Sequence, residues 1–439
     1  MTESTQEPPR PGSIKATQAA AEIRNLRRWY YDRVKNAKQD NEFIAWSMEG
    51  APLEIFFAFD VLPVLAENFA PICAAKQVSP YFCEKAEAEG FSIDVCSYQK
   101  VGIGYAIALH QQGDIPPEAP YGGMGKPDMM IAPTHICDGR YKYLQATCRY
   151  VDVPYYPYEV QDMPYDVLDR KDEEERKRYV EHYYDQLKGV VAFLEKITGK
   201  KYNPDRLSET LYYWLQAHAY FHDAAELRKC RPSPLPSQDS FAVCMPNLTF
   251  KGTKEAADYY KRLYQEVKHR ADNKIGSVKG EERYRIFWWG LPPWHNLAIF
   301  NYLEDHGICT LDNLYDPGEI PEGIDFSDPL RAIADIFYSC YIFAGGLFKR
   351  RGERGILNFL RDYELDGIVT LLTTTCRITT GTLHTRRVIE ELSGLPVLNL
   401  EADMTDTRTW SDAHIKMRLD AFMETVENSK RRREQSRET

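Results

Sequence analysis

The sequence contains no pair of cysteines spaced as C-x-x-C, although it has ten cysteines in 439 residues. That absence argues against zinc ribbons, thioredoxin-like redox motifs and ferredoxin-type cluster motifs. The P-loop pattern G-x-x-x-x-G-K-[ST] is also missing, so we do not expect this chain to hydrolyse ATP by itself. Neither H-E-x-x-H nor G-x-S-x-G occurs, which removes the common zinc-protease and hydrolase motifs.

Long apolar runs and positive net charge are lacking as well. No segment approaches ~18 uninterrupted apolar residues, and the N-terminal "MTESTQEPPRPGSIKATQ" has no apolar stretch of the kind a signal peptide needs. A net charge of −10 argues against binding to nucleic acid or to an anionic membrane. We therefore expect a cytoplasmic protein without nucleic-acid or membrane partners, whose cysteines are thiols or metal ligands rather than disulfides.

The length and the order of the patterns predict several domains, since 439 residues exceed what one core usually supports. Short β-prone runs alternate with helical patterns in two regions, which is typical of an α/β protein with doubly wound, Rossmann-like parallel sheets. A charged region of helical periodicity separates them. The predicted boundaries are an N-terminal helical arm (1–42), a first α/β domain (43–164), a helical region (165–280) and a second α/β domain with a C-terminal helix and a solvated basic tail (281–439).

Particular runs in the two α/β regions are predicted to be strands because they are short, apolar and bounded by turn residues. They are "DMMIAPTHIC", "VPYYPYE", "RYRIFWWG", "DGIVTLLTT" and "LPVLNLE". The run "APLEIFFAFDVLPV" (51–64) is instead predicted to be one buried helix that carries Glu54, a candidate site carboxylate. "GIGYAI" (102–107) matches the dinucleotide-binding pattern only in part, because Ile107 replaces the third glycine. We interpret its glycines as allowing close helix packing.

Three cysteines occupy the position where ligands bind in open α/β sheets, at a strand end or a helix start. Cys137 ends "DMMIAPTHIC", Cys376 ends "IVTLLTTTC", and Cys96 opens a helical pattern in "FSIDVCSYQKVGIG". A helix N-terminus offers free N–H groups and should lower the pKa of a thiol there. Such a thiolate can attack carbon, form a redox disulfide, or bind a soft metal or iron–sulfur centre. Cys340, in "FYSCYIF", is a fourth candidate.

Any one of these cysteines is more readily explained as a buried small apolar residue, which is the common role of free cysteine. Three in matching positions across two domains favour a shared ligand instead.

The stretch "WWGLPPWHN" brings aromatic residues and a histidine to the end of a predicted strand. Trp288, Trp289 and Trp294 are candidates for an apolar wall against a flat acyl group. The alternative for Trp288 and Trp289 is an ordinary place in the core of a strand. His295 is a candidate proton donor, although a histidine at a helix start is more often structural.

These landmarks together resemble the family of 2-hydroxyacyl-CoA dehydratase and benzoyl-CoA reductase subunits. The resemblance rests on "EGAPLEIFFAFDVLPV", "DVCSYQKVGIG", "DMMIAPTHIC", "YRIFWWGLPPW" and "DGIVTLLTTTCRITTGTLHTRRVIEELSGLPVLNLEADMTDTR", and covers nearly the whole chain. Within the family, "RPSP" and "WWGLPPW" favour the B-type subunits of ATP-dependent benzoyl-CoA reductases. The resemblance implies two flavodoxin-like domains and a [4Fe–4S] cluster held by Cys96, Cys137 and Cys376, with one iron left open.

The resemblance also implies partners. A homologous cluster-binding subunit would pair with this chain, and separate ATPase activator subunits would supply low-potential electrons. The substrate would be an acyl-CoA, benzoyl-CoA first, lying near Trp288, Trp289, Trp294 and Glu54. Threonines 373–375 and 379–380 would donate hydrogen bonds to cluster sulfur. Alternatives are a dehydratase that eliminates water from a 2-hydroxyacyl-CoA, a non-catalytic electron-relay subunit, and a nucleotide-binding dehydrogenase, which the glycine pattern disfavours.

Overall fold

The computed structural model describes residues 12–161, 173–312, 314–315, 318–320, 322–340, 357–377, 379 and 382–438. The strands are β1 Phe43–Ser47, β2 Val61–Leu65, β3 Met129–Pro133, β4 Tyr155–Tyr158, β5 Tyr284–Trp289, β6 Ile308–Leu311, β7 Gly367–Leu372 and β8 Val397–Glu401. The first helices are α1 Gln18–Asn36, α2 Leu53–Ala58, α3 Ala66–Ala75, α4 Ser79–Ala88, α5 Ser97–Gln112 and α6 Asp138–Thr147. The others are α7 Glu173–Thr198, α8 Pro204–Glu226, α9 Ser237–Val243, α10 Met245–Thr249, α11 Lys254–Asp272, α12 Ala298–Asp305, α13 Pro329–Cys340, α14 Thr382–Ser393 and α15 Asp412–Glu438.

The eight strands form two four-stranded sheets of the same design. Their orders are β2-β1-β3-β4 and β6-β5-β7-β8, and every neighbouring pair is parallel. The predicted α/β fold with two parallel-sheet domains is confirmed. In each sheet the connection after the first strand runs to one side of the sheet and the connection after the third strand runs to the other. This reversal opens a crevice at the carboxyl ends of these two neighbouring strands.

The run 51–64 is not one helix. Residues Leu53–Ala58 form α2, and Val61–Leu65 form the fully buried strand β2 after a turn at Asp60, whose φ is 54°. A continuous apolar run has no period that separates a buried helix from a buried strand, which explains the error. The basic C-terminus is largely exposed, as predicted, but it is helical, because α15 continues to Glu438, and Lys430 pairs with Asp366 at 3.3 Å.

Helices of the region between the sheets pack on the first sheet and on one another, with α8 lying along α11. Side chains cap these helices, as Asn203 does for α8 by accepting from the N–H groups of Asp205 and Arg206. One hydrophobic core runs from Trp46 in β1 through Tyr260 in α11 to Trp288 in β5. The other face of the second sheet has a separate, smaller core. The predicted domain boundaries stay predictions.

In the part of the chain that the structure describes, no helix combines the length and the apolar character needed to cross a bilayer.

Candidate functional site

The three candidate cysteines lie at the carboxyl ends of the sheets or at a helix start. Cys96 is the N-cap of α5, and Cys137 is the N-cap of α6, four residues after β3 ends at Pro133. Cys376 likewise follows the end of β7, at Leu372, by four residues. Because β3 and β7 are the third strands of two sheets with the same order, Cys137 and Cys376 occupy equivalent positions in the two domains.

The turns that carry these cysteines adjoin one another. A Cβ added at Gly139 would lie 2.4 Å from Gln99 Nε2, so the first turns of α5 and α6 touch. The charge of Cys376 contributes to the raised pKa of Cys96, so these two side chains lie near each other. Among the described residues, no three His, Cys, Asp or Glu side chains form a ready ligand set for a single metal ion. An iron–sulfur cluster makes a different demand, because it distributes its thiolate ligands over separate irons.

Burial raises the pKa of the Cys96 thiol and of the Cys137 thiol, although each lies at a helix N-terminus that would by itself lower it. Burial contributes most to the raised pKa of Cys96, followed by Cys376 and Asp403, and the N–H groups of Tyr98 and Gln99 oppose it. The pKa of Cys137 is also raised, mainly by burial, which outweighs the nearby Arg140. The prediction that the helix N-termini lower these thiol pKa values is therefore wrong for the chain without metal. The free-energy cost of removing a thiolate from water exceeds the stabilisation that one helix terminus provides. Binding of a metal by these thiols would release protons.

The backbone before Cys137 is strained. Ile136 has φ 79°, a left-handed conformation that a β-branched residue rarely adopts. Such strain costs about 1–2 kcal/mol and persists only where the surrounding fold imposes it, often at functional sites. It ends the extended approach from β3 and turns the chain into α6.

Three of the threonines around Cys376, namely Thr373, Thr375 and Thr379, form hydrogen bonds with protein oxygens. Thr375 Oγ1 donates to Asp403 Oδ2 at 2.9 Å, and Thr373 Oγ1 donates to the carbonyl of Ala402 at 3.2 Å. Thr379 Oγ1 lies 2.8 Å from the carbonyl oxygen of Cys376. These hydroxyls therefore shape the turn around Cys376, while Thr380 lies outside the described residues.

A cavity of about 530 Å³ lies beside the first turn of α5, the helix that Cys96 caps, and draws its walls from both domains, from α1 and the segment before it, and from α9 and α10. Tyr98, two residues after Cys96, forms part of its wall. The aromatic side chains around it are Tyr98, Phe241, Trp294 and Tyr315. This size and lining suit a small organic group with a flat apolar part.

Trp294 and His295 are among the cavity residues. Trp294 Nε1 donates to the hydroxyl of Tyr98, which fixes the indole beside the helix that begins at Cys96. His295 is buried, and its Nε2 lies 3.2 Å from the carbonyl oxygen of Asp403, so the tautomer with a proton on Nε2 donates there. Its ring also packs edge-on against Trp410 at 5.0 Å.

The structure places Trp288, Trp289 and Glu54 away from this cavity. Successive strand residues face opposite sides of a sheet, so Trp288 packs on Phe300 in the main core while Trp289 packs against the smaller core. Glu54 is buried in α2 and pairs with Lys251 at 3.2 Å. For Cys340, which ends α13, the side chain lies outside the described residues.

Two carboxylates and an arginine that the sequence patterns did not single out form a buried cluster at the cavity. Glu49 follows the end of β1 by two residues, and its N–H donates to Glu67 Oε2 at 2.7 Å. Arg140, in the first turn of α6, pairs with Glu67 and donates to the carbonyl oxygen of Glu49 at 3.0 Å. A polar residue just past a strand end was the available signal in the sequence, which "SMEG" provides for Glu49.

Burial favours the protonated form of Glu49, although an Arg140 nitrogen lies 3.6 Å from its Oε2. Burial raises its pKa to about 8, and Glu67 adds to the rise while Arg140 opposes it. Its Oε1 is buried with no hydrogen-bond partner among the described residues, and the residue lines the cavity. A protonated carboxyl beside a cavity can donate its proton to a bound molecule.

Basic residues form another part of the cavity wall. Arg24 and Arg27 of α1 and Lys15 before it line the cavity together. Burial lowers the pKa of Lys15 to about 8 against the opposing charge of Asp239, and its ammonium donates to the carbonyl of Gln238. The cavity thus combines an aromatic wall, a buried acid and a basic wall that suits phosphate groups.

Comparison with known proteins gives a consistent result. A family model described as 2-hydroxyglutaryl-CoA dehydratase, D-component, matches residues 50–426. The (R)-phenyllactyl-CoA dehydratase alpha subunit of Clostridium sporogenes is 26% identical over 417 residues, 94% of this chain and 97% of the relative. The B-type subunit of benzoyl-CoA reductase from Thauera aromatica is 27% identical over 415 residues, 91% and 92% of the two chains. The alpha subunit of lactoyl-CoA dehydratase from Anaerotignum propionicum is 24% identical over 402 residues, 90% and 93%.

Proposed function

The chain belongs to the family described as 2-hydroxyglutaryl-CoA dehydratase, D-component, and we propose that it is the cluster-binding subunit of an enzyme that reduces an aromatic acyl-CoA, benzoyl-CoA first. The observation that carries this proposal is the aromatic-lined cavity, whose wall includes Tyr98, two residues after Cys96. Curated relatives of both reductase and dehydratase activity make an acyl-CoA enzyme subunit the common expectation.

Cys96, Cys137 and Cys376 would hold a [4Fe–4S] cluster. The donor set suits the group, because the three thiols lie at helix starts or strand ends of two domains and no cysteine pair offers the spacing of a zinc site. When bound, such a cluster supplies single electrons at low potential. The protein around it sets that potential through burial and through hydrogen bonds.

The cavity would bind the acyl thioester with its flat group against Trp294 and Tyr315. Those side chains exclude water, which strengthens every electrostatic interaction inside the site. Lys15, Arg24 and Arg27 would pair with the phosphate groups of the coenzyme A portion. Binding by charge at one wall and by apolar contact at another would fix the direction in which the substrate lies.

Glu49 would provide the proton that a reduced ring requires. Burial raises the pKa of its carboxyl to about 8, which favours the protonated form at neutral pH, and Oε1 has no hydrogen-bond partner among the described residues. His295 is the second candidate, with Nε2 already directed at the carbonyl of Asp403. Glu49 is favoured over His295 because a general acid needs a proton that it does not already donate elsewhere.

Dehydration of a 2-hydroxyacyl-CoA is the second candidate reaction. The relatives that favour it include a phenyllactyl-CoA dehydratase, whose named substrate is also aromatic. In that reaction the protonated Glu49 would donate its proton to the hydroxyl group of the substrate, which leaves as water. A third outcome is a subunit that relays electrons to a partner holding the substrate.

The proposed partners are a homologous cluster-binding subunit and an ATPase activator. This chain has no P-loop, so the energy of ATP would have to enter through another subunit.

Turnover by the assembled enzyme tests the proposal. The chain is co-expressed anaerobically with its partner subunit, supplied with the activator, ATP and a reductant, and offered benzoyl-CoA or (R)-phenyllactyl-CoA. Loss of aromatic absorbance from benzoyl-CoA is expected, whereas an enoyl product from phenyllactyl-CoA alone would establish the dehydratase. An assembled complex in which this chain binds neither acyl-CoA would reduce its role to electron relay.

A further inference from the structure

The loop at residues 402–409, which follows β8, contacts the turn that carries Cys376. Asp403 Oδ2 accepts a hydrogen bond from Thr375 Oγ1 at 2.9 Å, one residue before that cysteine. Asp403 is only 4% exposed. The side chain of Thr375 is therefore held by a carboxylate that water barely reaches.

The same loop contacts the helix that Cys96 caps. Thr405 Oγ1 donates to Ser97 Oγ at 2.6 Å, and Ser97 is the first residue of α5. The carbonyl of Thr405 also accepts from Ser79 Oγ at 2.6 Å. Thr405 and Ser97 are both fully buried. These bonds join the second domain to the two helices beside Cys96.

Asp403 organises the loop between these two contacts. Its Oδ1 accepts from the N–H groups of Thr405 at 2.8 Å and of Asp406 at 2.9 Å. The donors to its carboxylate are thus a hydroxyl and two backbone N–H groups, which satisfy the oxygens without adding a positive charge. The carboxylate therefore lies one hydrogen bond away from Thr375, the residue that precedes Cys376.

We propose that Asp403 is a positioning residue that sets the distance between Cys96 and Cys376, and that its negative charge lowers the reduction potential of a cluster held by them. This inference rests on the proposed function. The two cysteines come from different domains, so an element that bonds to both turns determines their separation. A nearby negative charge disfavours addition of an electron to the bound group.

The test is a redox titration of the anaerobically purified complex, followed by electron paramagnetic resonance and iron analysis. Asp403→Asn keeps the shape and removes the charge, and its midpoint potential is expected to be more positive than in the wild type. Asp403→Glu restores the charge and should return the potential toward the wild-type value. Thr375→Val breaks the bond to the turn, and should lower the iron content or change the spectrum. Asp366→Asn is the control, because Asp366 is also buried but precedes β7 at the opposite edge of the sheet.

An Asp403→Asn complex with full iron and the wild-type midpoint potential would overturn the role of the charge. Unchanged iron content and an unchanged spectrum in Thr375→Val would overturn the positioning role. If Asp403→Asn does not fold, the result for Thr375→Val decides whether the inference stands. A wild-type complex without iron would overturn the proposed function and this inference with it. If the wild type holds iron but the Asp403 and Thr375 variants have its iron content, spectrum and potential, this inference alone is overturned.

Discussion

Replacing Gly104 by alanine is expected to destabilise the protein, although this change usually stabilises a helix. Gly104 lies inside α5, where alanine is favoured over glycine by about 1 kcal/mol. A Cβ there would lie 1.8 Å from the carbonyl oxygen of Phe82 in α4, whereas real Cβ atoms essentially never come closer than 3.0 Å. The helix would have to move by roughly 1.2 Å, the difference between these two distances, because a packed interior has no room to absorb it.

The steric cost should exceed the gain in helix propensity. Overpacking of a core costs about 1–3 kcal/mol, and the upper end applies because the obstacle is backbone and not the tip of a side chain. A net loss of about 2 kcal/mol remains after the helix gain of about 1 kcal/mol. Since Cys96 caps α5, displacement of the helix should also lower the iron content.

The assay compares thermal midpoints and iron content of anaerobic complexes with wild-type and variant chains. A fall of a few degrees and partial loss of iron are expected. Gly189→Ala is the matched control on α7, which carries no cysteine. Its added Cβ would meet the hydroxyl of Tyr156 at 2.1 Å, and that ring tip can swing aside. A midpoint equal to or above the wild type in Gly104→Ala, with full iron, would refute the reasoning.

Other expected outcomes concern charge. The pKa of Glu49 in the folded chain, about 8, exceeds the usual value of 4.5, so the chain should lose stability as pH rises from 4.5 through 8. The thermal midpoint of Glu49→Gln should fall less than that of the wild type over this range. Equal changes of the thermal midpoint with pH in the two proteins would contradict this expectation. Glu87 has its pKa lowered to about 2 by Arg408 and Lys100, so its contribution is present above pH 4.5 and lost as pH falls toward 2; the thermal midpoint of Glu87→Gln should therefore fall less than that of the wild type in acid. Arg27→Gln should weaken acyl-CoA binding about tenfold by calorimetry, whereas Arg28→Gln, on a part of α1 outside the cavity, should not.

The sequence was informative where local chemistry and position coincide. Cys137 and Cys376 each follow an apolar β-prone run, and parallel strands place such residues at one edge of a sheet, so their role as site candidates followed from pattern alone. Close packing of the glycines in "GIGYAI" is confirmed as well, because Gly102 and Gly104 leave no space for a Cβ.

What the sequence left hidden depends on contacts between distant segments. Glu49 and Arg140 meet across 91 residues, and neither belongs to a motif of fixed spacing. The cavity requires α1, α9 and both domains together, which no local pattern encodes. Trp288 and Trp289 were attractive as neighbours in a motif, but the two-residue period of β5 sends them to opposite faces of the sheet.

The most direct test is iron and sulfide analysis of the anaerobic complex, with single alanine variants of the candidate ligands and of two control cysteines. The exposed Cys230 and the partly buried Cys148 serve as the controls. About four irons attributable to this chain are expected in the wild type and in both controls, as one [4Fe–4S] cluster requires. Loss of that iron is expected when Cys96, Cys137 or Cys376 is replaced. Full iron in all three of these variants would contradict the account.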